Sequence, residues 1–127
     1  MTRVAAWLGI AFGSVAALLE FARNWGHWQW WPFWLVDFVA AALLVSGGVL
    51  ALRLNRAGLL TAGWGFTCAM FWMSFFSHVE SLRTAAAADP REARLTTIIG
   101  GMFLVTVLGL VFSLGGALRD RSGGKAT

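Results

Sequence analysis

Charged residues are scarce in this chain of 127 residues: they make up 13% of it, whereas hydrophobic residues make up 58%. A soluble domain has about 25% charged residues, so this sequence has too few to cover a surface that faces water. A lipid bilayer removes that requirement, because lipid solvates apolar side chains directly. The composition therefore predicts an integral membrane protein.

Cysteine occurs once, at Cys68, which excludes an internal disulfide and a cysteine-rich metal site. The net charge is +4, but the basic residues are spread along the chain without a basic run, so no nucleic-acid partner is predicted. A phosphate-binding glycine loop, a nucleophile elbow, an HExxH motif and a CxxC motif are also absent. The sequence therefore favours a non-enzymatic protein, and nothing in the sequence requires a cofactor.

Four apolar segments are long enough to become membrane helices, at about residues 4–22, 32–54, 57–88 and 90–118. Each offers roughly 20 residues or more, which at 1.5 Å per residue crosses a hydrocarbon core of about 30 Å. The first segment lacks a small-x-small cleavage site before polar sequence, so we expect a retained helix and not a signal peptide. The sequence predicts an all-α, four-helix transmembrane bundle with up-down-up-down topology over residues 1–118, followed by a disordered cytoplasmic tail at 119–127.

A helix start is predicted between the third and fourth segments. Asp89 stands at the cap position, Pro90 at the first helical position and Glu92 at the third, where carboxylates can accept free N–H groups. The alanines at 85–88, just before it, have high helix propensity. We therefore expect a tight hairpin that turns near Asp89.

The distribution of basic residues predicts the orientation. One predicted side carries Arg3, Arg53, Arg56, Arg119, Arg121 and Lys125. The other side carries Arg23, Arg83, Arg91 and Arg94, partly offset by Glu80, Asp89 and Glu92. The excess on the first side predicts that both termini are cytoplasmic, in a bacterial inner membrane.

Small and polar residues form a stripe on each of the first three helices, at spacings of mostly three, four or seven residues that place them on one face. The stripes are Gly9, Gly13, Ala16, Glu20, Asn24 and His27; then Asp37, Ala41, Gly48 and Asn55; then Gly63, Thr67, Met70, Ser74, Ser77 or His78, and Ser81. We expect these stripes to face one another and their hydroxyls to form hydrogen bonds between helices. The fourth helix is expected to serve as scaffold.

The stripes become ionisable near the outer side. Counting 1.5 Å per residue from the inner arginines places Glu20 and Asp37 about 25 Å away, just beneath the outer interface, where a carboxylate should not face lipid. The candidate ligand or proton site consists of Glu20, Arg23, Asn24, Asp37, Ser74, His78 and Glu80. Two alternatives are an ion-pair network that only holds the helices together, and a metal or haem site that uses His27 and His78.

Five of the eight tryptophans crowd into the predicted outer loop and the start of the second helix: Trp25, Trp28, Trp30, Trp31 and Trp34. Tryptophan favours the membrane interface, but this density exceeds what anchoring requires. It predicts a Trp-rich cap over the polar site, which engages lipid or a partner protein.

Three function classes follow. The leading hypothesis is an accessory or ligand-binding membrane subunit that contacts lipid and works as a homo-oligomer or within a larger complex. The second is a small transporter or channel that uses Glu20 and Asp37 as coupling carboxylates. The third is a redox component that binds metal or haem through His27 and His78.

Overall fold

The computed structural model describes the backbone of residues 1–28, 30–85 and 89–123, and side chains through Arg119. These residues form four α-helices and no strand: α1 (Thr2–Asn24), α2 (Trp31–Leu54), α3 (Gly58–Thr84) and α4 (Pro90–Gly123). All four are long and apolar enough to cross a membrane. The predicted all-α fold of four apolar helices is confirmed.

Two helix ends differ from the sequence prediction. α3 ends at Thr84 instead of continuing to residue 88, and Ala85 already has an extended conformation with ψ of 130°; residues 86–88 lie outside the described part. α4 continues beyond Leu118 to Gly123, so residues 119–123 of the predicted tail are helical, whereas 124–127 lie outside the described part. No proline or glycine interrupts the chain between Leu118 and Gly123, which explains the longer helix.

The helix ends follow local sequence signals. Pro32 lies in the first turn of α2, and Asn55 ends that helix in the left-handed conformation with φ of 54°. At the start of α4, the Asp89 carboxylate accepts the N–H of Arg91 at 2.9 Å, so the predicted cap is confirmed.

Neighbouring helices run antiparallel in a ring. α1 packs on α2, α2 on α3 and α3 on α4, and α4 closes the ring against α1. This is the predicted up-down-up-down order. One end of the bundle, here called the termini end, holds the start of α1, the 55–57 turn and the end of α4. The opposite end, called the tryptophan end, holds the end of α1, the start of α2, the end of α3 and the start of α4.

Glycine brings the helices together in the half of the bundle nearer the termini end. Gly13 lies against α2 so closely that a Cβ there would be 3.1 Å from the carbonyl oxygen of Ala41. Between α2 and α3, a Cβ at Gly47 would be 2.6 Å from the backbone nitrogen of Leu60. The approach at Gly47 leaves no room for a side chain, and the approach at Gly13 is tight for any Cβ. Small residues at such positions let helices pack closely.

Trp64 joins three helices in this half. Its side chain is fully buried, and its indole N–H donates to the carbonyl oxygen of Ala5 on α1 at 3.2 Å. The ring also lies beside Gly109 of α4 and beside Phe12 of α1, whose ring centroid is 5.9 Å away. No sequence pattern singled out this residue, yet it is the largest fully buried side chain described.

Most hydroxyl groups do not link helices, so that expectation is wrong. They donate to a carbonyl of the preceding turn of their own helix, as serine and threonine within helices often do. These residues are Ser46, Thr61, Thr67, Ser81, Thr84, Thr96, Thr97 and Thr106. Among the described residues, Thr61 and Ser113 form the hydroxyl pair that bridges two helices, α3 and α4. Since Ser113 is fully buried, α4 contributes polar groups to the interior and is more than scaffold.

Candidate functional site: a cavity near the tryptophan end

A cavity of about 560 Å³ lies among the four helices, in the half nearer the tryptophan end. Every helix contributes to its wall. The apolar lining residues are Ala16, Leu19, Phe33, Val36, Met70, Phe71, Leu95, Ile98, Ile99 and Met102. The polar lining residues are Glu20, Arg23, Asp37, Ser74 and His78. Five of the seven predicted site residues therefore line one cavity.

Glu20 is held in a fixed position on α1. The residue is buried, and the Nδ2 amide of Asn24, one turn later, donates to its Oε1 at 2.6 Å. The same amide also donates to the Glu20 carbonyl at 2.9 Å. Nη1 of Arg23 lies 4.0 Å from the other carboxylate oxygen, but the Arg23 side chain is 68% exposed. The structure thus brings the three predicted residues of α1 together through helical spacing.

Asp37 enters the same cavity from α2. It is half-buried, and no hydrogen bond or ion pair reaches its carboxylate from any residue that the structure describes. The preceding helical turn supplies Phe33, which also lines the cavity. The Asp37 carboxylate is therefore available to whatever occupies the cavity.

His78 lines the cavity from α3 and contacts α4 through Glu92. Its Nδ1 lies 2.5 Å from Oε1 of Glu92, and the two side chains are 30% and 24% exposed. Glu92 was predicted to accept free N–H groups at the start of α4, and it was not among the predicted site residues. Its place in the first turn of α4 was a signal, because the last turns of α3, which include His78, lie at the same end of the bundle.

Asn24 and Glu80 of the candidate ligand site, and His27 of the candidate metal site, are not among the residues that line the cavity. Glu80 is exposed and pairs with Arg83 of its own helix at 3.5 Å, and it is not among the residues that line the cavity. His27 is exposed in the loop after α1, and the described cavity wall that contains His78 does not include it. No group of three or more His, Cys, Asp or Glu side chains suited to a metal ion occurs within the described residues.

The tryptophans form an aromatic network on the outside of the bundle. Trp25, Trp28, Trp30 and Trp31 are exposed. Trp28 packs edge-on against Trp34 at 5.3 Å between ring centroids. The described cavity wall includes none of these five residues, although Phe33, whose ring packs against Trp30 at 5.9 Å, belongs to it. The network therefore lies next to the cavity and is not its lining.

The cavity reaches the side of the bundle between α1 and α4, although these two helices are in contact at the termini end. At the termini end, α1 and α4 are in contact, with Met1 beside Gly115. Near the tryptophan end, Leu19 of α1 and Ile98 of α4 both line the cavity and are exposed. An apolar molecule can therefore contact the cavity wall from the side of the bundle.

Comparisons with protein-family models, with curated proteins and with solved structures returned no match. The interpretation of the cavity therefore rests on its geometry and chemistry.

Proposed function

We propose that this chain is a polytopic membrane protein that binds an amphipathic ligand, such as a lipid, in the cavity between its four helices. It acts without chemical conversion of that ligand, as an accessory or ligand-binding subunit. The observation that carries this proposal is the cavity itself, because apolar side chains from all four helices surround a small set of polar groups. Sites for small molecules in proteins have this composition and enclose about 300–1,000 Å³.

The proposed arrangement in the membrane has both termini on the cytoplasmic side of a bacterial inner membrane. Large apolar side chains are exposed along the helices, among them Val15, Leu104 and Leu108, and lipid would solvate them. Arg3, Arg53, Arg56 and Arg119 lie at or near the termini end, as the cytoplasmic side of a membrane protein requires. Labelling of single cysteines introduced at each end, with a reagent that does not cross membranes, tests this orientation.

The exposed tryptophans then lie at the outer interface. Their rings and single N–H groups suit the headgroup region, where they anchor the bundle and contact lipid or a partner subunit. If Trp30→Ala and Trp31→Ala leave lipid binding and partner pull-down unaltered, the proposed role of this network is wrong.

Filling the cavity tests the binding proposal. Ala16 of α1 lines the cavity, so Ala16→Phe places a ring inside it. Ala11 of the same helix is exposed and does not belong to the described wall, so Ala11→Phe is the matched control. Native mass spectrometry of protein extracted in mild detergent should detect a co-purifying ligand on the wild type and on Ala11→Phe, and lose it on Ala16→Phe. Equal occupancy in all three proteins would count against the proposal.

A small transporter or channel is the second candidate. It is favoured by the two carboxylates, Glu20 and Asp37, which reach one cavity from neighbouring helices. In that case they would take up and release a proton or cation during transport. The test is flux in proteoliposomes: Glu20→Gln should abolish pH-dependent uptake, and undiminished uptake would refute the coupling role.

The proposed assembly is a homo-oligomer or a subunit of a larger complex. The mass of the purified protein in detergent, together with whatever co-purifies, distinguishes these two forms from a monomer.

A further inference from the structure

We propose that the ligand is a monovalent amphipathic cation, a molecule with one amine-type positive charge and an apolar body. This inference rests on the proposed function, because it assigns a chemical class to the ligand of the same cavity. The cavity is largely apolar and accessible from the side of the bundle, and the charges around it select the ligand.

The charged groups at the cavity, counted together with Glu92 just outside its described wall, do not balance. Glu20 already has the Asn24 amide as a hydrogen-bond donor and Arg23 at 4.0 Å. His78 is in contact with Glu92. This leaves the Asp37 carboxylate, which no described residue contacts by a hydrogen bond or ion pair. One positive charge in the cavity would compensate the charge of the Asp37 carboxylate.

The surroundings of Asp37 favour a cation over an anion. A carboxylate close to the hydrocarbon region is costly unless a partner or water compensates it, and a ligand cation beside Asp37 supplies that partner. An anionic headgroup would instead meet two carboxylates, with Arg23 as the one guanidinium in the described lining. Since Arg23 is mostly exposed, it offers an anion little enclosure.

The rest of the wall fits the same ligand class. Phe33 lies one helical turn before Asp37, and Phe71 lines the cavity from α3. Aromatic rings attract a cation above their faces, and they recognise quaternary ammonium groups in this way. The aliphatic side chains of Val36, Ile98 and Ile99 provide a surface for the apolar body.

Three probes with the same ten-carbon chain test the inference: decyltrimethylammonium, decanoate and decanol. Each is measured by equilibrium dialysis against the full chain in phosphatidylcholine nanodiscs, with empty nanodiscs subtracted. Asp37→Asn removes the proposed partner of the cation. Glu80→Gln removes the same charge from an exposed side chain outside the described wall and is the matched control.

The expected result is that wild-type protein and Glu80→Gln bind decyltrimethylammonium more tightly than the other two probes. Asp37→Asn should weaken binding of the cation about tenfold or more and leave decanol binding unchanged. The inference is overturned if decanoate binds as tightly as the cation, or if Asp37→Asn changes cation binding less than about twofold. Should Asp37→Asn fail to fold, the ranking of the three probes on wild-type protein decides alone.

The same experiment separates the two proposals. If all three probes bind equally and Ala16→Phe abolishes that binding, the cation inference fails while the amphipathic-ligand proposal stands. If Ala16→Phe leaves the binding of every probe unchanged, the probes do not occupy the cavity and both proposals fail.

Discussion

Replacing Gly109 by alanine tests whether Trp64 holds the bundle together. A Cβ at Gly109 would overlap Cε2 of the Trp64 indole, well inside van der Waals contact. The ring cannot move aside easily, because it is fully buried and its N–H is bonded to the Ala5 carbonyl. We therefore expect Gly109→Ala to force α4 away from α3.

The size of this effect follows from two opposing terms. Overpacking of a well-filled interior costs about 1–3 kcal/mol. Alanine in place of glycine also favours the helix by about 1 kcal/mol, which partly masks that cost. Gly101→Ala removes this ambiguity, because Gly101 lies on the same helix with nothing within 4 Å of its Cβ position. The two variants share the propensity gain, so the difference between them is the packing cost.

The assay uses the single cysteine. Cys68 lies on α3, one turn beyond Trp64, and is partly buried, so a fluorogenic maleimide reacts with it faster once the bundle opens. Heating in detergent should give a midpoint for Gly109→Ala that is roughly 3–15 °C below that of Gly101→Ala. Trp64→Phe should cost less stability in the Gly109→Ala background than in the wild type, since a smaller ring relieves the overlap. Equal midpoints for the two alanine variants would refute the packing argument.

Three further predictions concern single contacts near the helix ends. Asn24→Ala should lower the thermal midpoint, because it leaves the buried Glu20 carboxylate without its amide donor at a cost of about 1–3 kcal/mol. Adding Glu20→Gln should recover part of that loss. An unchanged midpoint for Asn24→Ala would argue against the hydrogen bond. His78→Ala and Glu92→Ala should each cost less than about 1 kcal/mol, and the double variant should cost no more than their sum, as the thermal midpoints would report. Asn55→Gly should be tolerated, whereas Asn55→Val should cost about 1–2 kcal/mol at φ of 54°, and equal midpoints for these two variants would contradict the strain argument.

Periodicity in the sequence predicted most of the buried face of α1 and part of that of α2, where Ala41 and Gly48 are buried but Asn55 is exposed. Gly9, Gly13, Glu20 and Asn24 are all buried, since residues three or four apart share a helix face whatever the rest of the fold does. The stripe fails at His27, which is exposed because α1 ends at Asn24 and the helical spacing ends with it.

The features that were missed depend on tertiary structure. Trp64 has no sequence signal for burial, because a tryptophan in an apolar helix is equally compatible with lipid. Its place in the interior depends on Gly109, 45 positions away. The contact between His78 and Glu92 depends on how the chain turns after Thr84, where alanine propensity predicted a longer helix. Hydroxyl groups were expected to bond between helices, but a carbonyl of their own helix is always within reach.

The two halves of the bundle differ because the stripe on α1 changes residue size along its length. At Gly9 and Gly13 the absence of a side chain lets α2 approach to backbone contact. From Ala16 to Glu20 the same face carries larger and polar groups, which need room and hydrogen-bond partners, and the cavity begins there. Further glycines on this face would let the helices pack together there as well. The cavity would disappear, and Glu20 and Asp37 would be buried against apolar groups. The two carboxylates therefore need the space that the cavity provides, and the cavity is the part of this protein in which a ligand should be sought.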